Sequence, residues 1–193
     1  MPDTARRSSC VDDDVVMASG ETGRDAVLRC FTWADGHADV WRVFDDGGAF
    51  ASVIEDLVAP WRGHDITKVC GVESRGFILG GAAACALGTG FVAIRKRGGL
   101  FPGPKLEVTA APDYRGQRHV LQIQMRSLTT GDRALLVDDW VERGSQATAT
   151  RDLVEQCGAS LVGCSVMVDQ LDSSVRSTLP TITSIVRASE LRT

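Results

Sequence analysis

Apolar positions follow two rhythms along this chain. Across residues 50–61, Phe50, Val53, Ile54, Leu57 and Val58 share one helical face, and Asp46 or the glycine pair behind it supplies a start. Short apolar runs then alternate with helical stretches. Residues 68–72 predict a strand, 77–87 a helix, and 91–94 and 119–125 strands. Residues 133–137 predict a central strand, 145–156 a helix, 161–168 a strand and 182–186 a last strand. Strands spaced by helices of this length predict an α/β fold, a mostly parallel sheet flanked by helices. The stretch that organises the pattern is 133–147. Four apolar residues run into Asp138 and Asp139, a polar turn follows around Gly144 and Ser145, and a helical pattern then begins. A buried strand ending in carboxylates, a small-residue turn and a helix start gather polar groups at the carboxyl edge of a sheet. The helix start offers backbone N–H groups to an anion, and the carboxylates suit a metal or the hydroxyls of a sugar. That combination fits a phosphorylated sugar.

Outside this rhythm stand three segments. Residues 1–25 are polar, with an Asp12-Asp13-Asp14 run, and read as a loosely ordered arm; residues 26–193 read as one domain. Residues 28–45 place Phe31, Trp33, Val40, Trp41, Val43 and Phe44 in a short strand or a hood over a ligand. Residues 98–116 are rich in glycine and proline; a structureless loop of that length is either a mobile lid or a plain insertion.

Composition narrows the partners. The 193 residues are 44% hydrophobic and 24% charged with a net charge of −4, which gives nucleic acid no electrostatic footing. Residues 76–94 carry no charge, but five glycines make a buried helix and strand a better reading than a membrane span. The six cysteines form no C-x-x-C pair and no signal peptide precedes them, so reduced thiols in a cytoplasmic protein are expected. The three histidines are isolated and build no zinc spacing.

Three motifs then fall in order: Gly71-Val72-Glu73-Ser74-Arg75-Gly76-Phe77, Ile94-Arg95-Lys96-Arg97-Gly98-Gly99-Leu100-Phe101-Pro102-Gly103, and Val137-Asp138-Asp139 with its turn. Together they resemble the type I phosphoribosyltransferases, the adenine branch most closely, over about residues 40–170. The resemblance implies transfer of the 5-phosphoribosyl group of phosphoribosyl pyrophosphate to a heteroaromatic base, with Mg²⁺ and release of pyrophosphate, by a homodimer. It also implies roles for individual residues. Arg75, Arg95 and Lys96, beside Ser74, would meet pyrophosphate, while Arg97 is solvated. Asp138 and Asp139 would serve the ribose as catalytic carboxylates and reach the metal, directly or through water. Glu142, Arg143, Gly144, Ser145 and Gln146 would receive the 5-phosphate.

The chain also departs from that pattern. The adenine enzymes carry A-T-G-G-T in the phosphate loop, where this chain has Glu142-Arg143-Gly144-Ser145-Gln146. Glu142 repels a phosphate unless it points away; Arg143 can donate to one. A Glu found in an L-E-[IM] segment of the family is Gln122 here, which hydrogen-bonds a base edge but carries no proton between states. The stretch Asp113-Tyr114-Arg115-Gly116 resembles a lid segment, E-Y-G, and implies that Tyr114 closes over the reaction centre. Trp41 either stacks on a base or belongs to the core. Two rival functions stay open: the same chemistry on a non-purine acceptor, or a sensor that binds the donor or a nucleotide without turnover.

Overall fold

The computed structural model describes residues 20–113 and 115–191. The arm expected at the N-terminus up to residue 19, Cys10 and Tyr114 lie outside the described residues. The first element among the described residues is helix α1 (Gly23–Cys30), which starts three residues inside the segment expected to be arm. Thr22 and Asp25 start it through a capping box, in which Asp25 N–H donates to Thr22 Oγ1 at 3.1 Å. The stretch around Phe31 and Trp41 then splits into a small hairpin, β1 (Thr32–Ala34) and β2 (His37–Asp39), and a one-turn helix, α2 (Trp41–Asp45). Asp46 caps helix α3 (Gly47–Val58), accepting from the Gly48 and Ala49 amides at 3.0 Å each.

From there the expected alternation appears: β3 (Lys68–Val72), α4 (Arg75–Leu87), β4 (Gly90–Lys96), β5 (Lys105–Thr109), β6 (Val120–Gln124), β7 (Arg133–Val141), α5 (Ser145–Gln156), β8 (Ser160–Asp169), α6 (Ser173–Arg176) and β9 (Thr181–Arg187). The seven-stranded sheet runs in the order β5-β6-β4-β3-β7-β8-β9. The five strands from β4 to β9 pair in parallel, and β6 and β5 add an antiparallel flange at the β4 edge.

Both faces are covered, as continuous apolar strands require. Leu135 and Val137 of β7 pack beneath α1, α3 and α4 with Val27, Val53, Leu57 and Leu79. Their neighbours Ala134 and Leu136 point the other way, with Ile94, Leu121, Ile123 and Leu153. Cys70 and Cys164 are buried in that second layer. Among the described residues, no helix is long and apolar enough to cross a membrane.

Three expectations change. Residues 98–116 are not one structureless loop, because β5 lies within them and pairs with β6 from Lys105↔Gln124 to Thr109↔Val120. The alternation of Leu106 and Val108 that makes this strand is short and hidden between glycine- and proline-rich flanks. Second, β7 does not stop at Val137. Its ladder with β8 continues through Asp138↔Val166 and Trp140↔Val168, so the acidic pair lies inside the strand and its carboxylates leave on opposite sides. Third, a segment between β8 and β9 with no anticipated element folds around α6.

Candidate active site

The sheet order reverses between β3 and β7. The chain leaves β3 through α4 toward β4 on one side, and leaves β7 through α5 toward β8 on the other. Their carboxyl ends therefore diverge, and a crevice opens at that switch point. A cavity of about 590 Å³ occupies it, floored by Val72 and Leu136 and walled by the first turns of α4 and α5.

Close approach on the β3 side depends on absent side chains. A Cβ at Gly71 would overlap the Gly76 carbonyl, and one at Gly76 would stand 2.9 Å from Asp138 Oδ1. The two glycines let α4 begin directly on the strand and bring Asp138 against its first turn. On the other wall, Gly144 adopts φ +68° as the cap residue of α5, whose first turn receives no side-chain hydrogen bond. The opening amides of a helix have no acceptor of their own. Here they belong to Ser145, Gln146 and Ala147, which line the cavity.

Of the expected residues, Ser74, Arg75, Lys96, Asp138, Asp139, Glu142, Arg143, Gly144, Ser145 and Gln146 all line this one cavity. Arg75 Nε lies 2.7 Å from Asp139 Oδ2, and its guanidinium sits over the Trp41 ring, 5.9 Å from the centroid. Asp139 is only 7% exposed. Burial, and then the neighbouring Asp139 charge, push the Asp138 carboxyl well above the usual carboxylate range, with Arg75 pulling the other way. Burial also raises Glu142, opposed by Arg143.

Two expected residues are not among the described residues that line it. Arg95 has its guanidinium fork closed on Glu73, Nε to Oε2 at 3.1 Å and Nη2 to Oε1 at 2.7 Å, while Nη1 donates to the Leu100 carbonyl at 2.6 Å. These hydrogen bonds hold Glu73 below its ordinary range. Gln122 is buried on β6, and its Nε2 donates to Glu107 Oε1 at 2.5 Å. Its register places it opposite Glu107 of β5 on one side and Arg95 of β4 on the other.

Further residues complete the wall. Trp33, His37 and Trp41 line it from the hood, and Asp113 and Arg115 from the segment before β6. Asp113 accepts from the Arg115 and Gln117 amides at 2.9 Å each and lies 3.3 Å from His119 Nε2; the Gln117 amide is the largest influence holding its carboxyl low. Trp140 and Gln170 form a further pair, Nε1 donating to Oε1 at 2.9 Å. Trp33 and Trp41 belong to the expected hood, and Asp113 and Arg115 to the lid-like motif; Gln170 follows the end of β8 and Cys164 lies in its middle, both with no motif at all. Burial pushes the Cys164 thiol up to about 12.

The described lining sets five carboxylates (Glu73, Asp113, Asp138, Asp139, Glu142) against four cations (Arg75, Lys96, Arg115, Arg143). Side-chain charge alone does not favour an anion there. The opening amides of the two helices are further donors that the wall offers a phosphorylated ligand. Among the described residues, no three or more His, Cys, Asp or Glu side chains gather into a metal site. The geometry therefore defines an α/β protein built to hold a phosphorylated, hydroxyl-bearing ligand between two helix N-termini.

The Phosphoribosyl transferase domain model matches residues 41–185, most of the chain, and the protein belongs to that family; it is a phosphoribosyltransferase. Among similar proteins, the adenine phosphoribosyltransferase of Cereibacter sphaeroides is 43% identical over 141 residues, covering 73% of this chain and 78% of the relative. That of Maricaulis maris is 43% identical over 131 residues, covering 68% and 73%. Among solved structures, the Rhodothermus marinus adenine phosphoribosyltransferase superposes with a TM-score of 0.77 at 30% identity, over 86% of this chain and 98% of that one. The Giardia lamblia enzyme, complexed with 9-deazaadenine, gives 0.78 at 30% identity over the same shares.

Proposed function

We propose that this chain transfers the 5-phosphoribosyl group of phosphoribosyl pyrophosphate to adenine, releasing pyrophosphate. One observation carries the reading. Asp138 and Asp139 leave β7 on opposite sides and face an uncapped helix N-terminus across a single cavity. In this reading the 5-phosphate takes the amides of Ser145, Gln146 and Ala147, with Arg143 donating from the side. The ribose lies over the acidic pair. The pyrophosphate meets Ser74, Arg75 and Lys96 at the opposite wall. As the bond from C1 to pyrophosphate lengthens, positive charge grows on the ring, and the two carboxylates stabilise it. Arg75, a third exposed, turns from Asp139 to the leaving phosphates and leaves that carboxylate to the ribose.

Mg²⁺ suits a site with carboxylates but no closed ligand set: it would arrive on the donor's phosphates and contact Asp138 and Asp139 directly or through water. Bound there, it would neutralise charge on the departing pyrophosphate. The acceptor base enters beneath the hood, where Trp33 and Trp41 supply flat apolar faces and His37 a polar edge.

A homodimer is supported by Ile78, Phe91 and Leu100, which stand 40%, 38% and 88% exposed on α4, on β4 and in the loop tied to Arg95. A cytoplasmic setting suits the buried thiols of Cys30, Cys70 and Cys164. The test of the function is pyrophosphate release with the donor, Mg²⁺ and a panel of adenine, hypoxanthine, guanine and two non-purine bases. Release with adenine far above the rest is expected. Release only with a non-purine base removes adenine as the acceptor, and binding without release with any base replaces the enzyme with a sensor.

A further inference from the structure

Apart from Gln170, the segment between β8 and β9 enters no part of the reading so far, yet it lies directly under the phosphate loop. A Cβ on Gly144 would meet Val175 Cγ1 at 2.9 Å, Leu179 Cδ1 at 3.2 Å and Leu171 Cδ2 at 3.3 Å. These three side chains join Val141 and Val166 in a small apolar cluster, which Leu179 links to the second main core. The cluster has its own fastenings. Asp169, 2% exposed at the end of β8, accepts from the Leu171 amide at 2.9 Å and pairs with Arg176. Arg187 stands farther off, at 3.9 Å, and is mostly exposed. At the far end, Arg151 of α5 donates to the Thr178 carbonyl at 2.8 Å. The segment is thus tied to β8 on one side and to α5 on the other, with Gly144 resting on it.

We propose that residues 169–179 form a strap that positions the 5-phosphate subsite, and that Arg176 is its positioning residue. The inference rests on the reading of residues 143–147 as that subsite. Its physical basis is the direction of amides. Only Ser145 carries a hydroxyl in this loop, so a phosphate here depends on backbone N–H groups. Their direction follows from the left-handed turn at Gly144, which the strap holds from below. Arg176 fixes the strap by neutralising a buried carboxylate, and a carboxylate left without that partner draws in water and shifts the turn that carries it.

Calorimetric binding of ribose 5-phosphate, together with steady-state kinetics on the full chain, tests this. Arg176→Met should weaken ribose 5-phosphate about tenfold and raise the donor KM by a like factor, while kcat and the adenine KM stay within about twofold. Arg176→Lys, which keeps a cation near Asp169, should restore most of the loss. A purely structural role would instead lower thermal stability and leave the donor KM in place. Gly144→Ala separates the two levels of the argument. If it loses ribose 5-phosphate while Arg176→Met binds as the parent does, the strap role falls and the subsite stands. If both bind as the parent does, the subsite reading falls with the strap. Should Arg176→Met fail to fold, Val175→Ala keeps the Asp169 pair and removes the methyl groups under Gly144; an unchanged donor KM in it overturns the proposal.

Discussion

Replacing Asp139 with asparagine removes one negative charge from the cavity and keeps the shape of the side chain. The carboxylate is 7% exposed and lies 2.7 Å from Arg75 Nε. Two effects follow, on different scales. Folding loses a partly buried ion pair. Because Arg75 keeps a third of its side chain in water and stacks on Trp41, the loss should be about 1–2 kcal/mol, below the range for a fully buried pair. For a domain of this size that lowers Tm by roughly 2–8 °C. Turnover loses more. A fixed charge aimed at charge that develops in the transition state is worth roughly 3–4 kcal/mol, so kcat should fall about 10²–10³-fold. Since the ring is neutral in the ground state, kcat and kcat/KM should fall together, with the donor KM close to that of the parent. Single-turnover pyrophosphate release with adenine in excess reads the chemical step, and thermal unfolding of the same sample reads the first effect. A kcat within about tenfold of the parent value in a folded variant would remove Asp139 from charge stabilisation.

Asp138→Asn should behave differently. Because burial and Asp139 raise its folded-state pKa, the folded chain gains from the protonated form below the unfolded value, about 3.9, and loses that gain as pH rises through the folded value. The metal-free variant should therefore melt above the parent at pH 7–8, with the difference vanishing near pH 4, while its turnover collapses; calorimetric scans across pH check the sign. Trp140 packs on Phe31, which meets Trp33 of the hood, so Gln170→Leu, which frees the Trp140 indole from its 2.9 Å hydrogen bond, should raise the adenine KM about three- to tenfold and more than the donor KM, read by steady-state kinetics. Chelation of Mg²⁺ should abolish pyrophosphate release and weaken donor binding, with full recovery on adding the ion back. Activity that survives chelation would show that cations of the chain alone carry the leaving group.

What the sequence disclosed follows from where its signals were continuous. The parallel strands are buried on both faces, so 68–72, 133–137 and 161–168 stand out as mostly apolar runs, and the structure keeps each of them. The cavity's two helix starts were legible for the same reason: a strand, a short polar turn and a helical rhythm follow in direct succession. The flange was not. Its strand β5 has only five residues between loops rich in glycine and proline, and composition concealed it. Arg95 and Gln122 sit in motifs that suggest contact with ligand; the structure pairs them with Glu73 and Glu107, and such pairing depends on register that no linear pattern contains. The strap was invisible because Arg176 acts through Asp169 and Gly144, which are seven and thirty-two residues distant in sequence but adjacent in the fold.

The central claim is that the crevice between β3 and β7 transfers a phosphoribosyl group and does not merely bind or hydrolyse the donor. Its most direct test is product stoichiometry: the full chain with phosphoribosyl pyrophosphate, adenine and Mg²⁺, products separated by chromatography and weighed by mass spectrometry. The account predicts adenosine monophosphate and pyrophosphate in equal amounts, with neither formed by the Asp138→Asn, Asp139→Asn double variant. Free ribose 5-phosphate in place of the nucleotide, or equal product from the double variant, would contradict it.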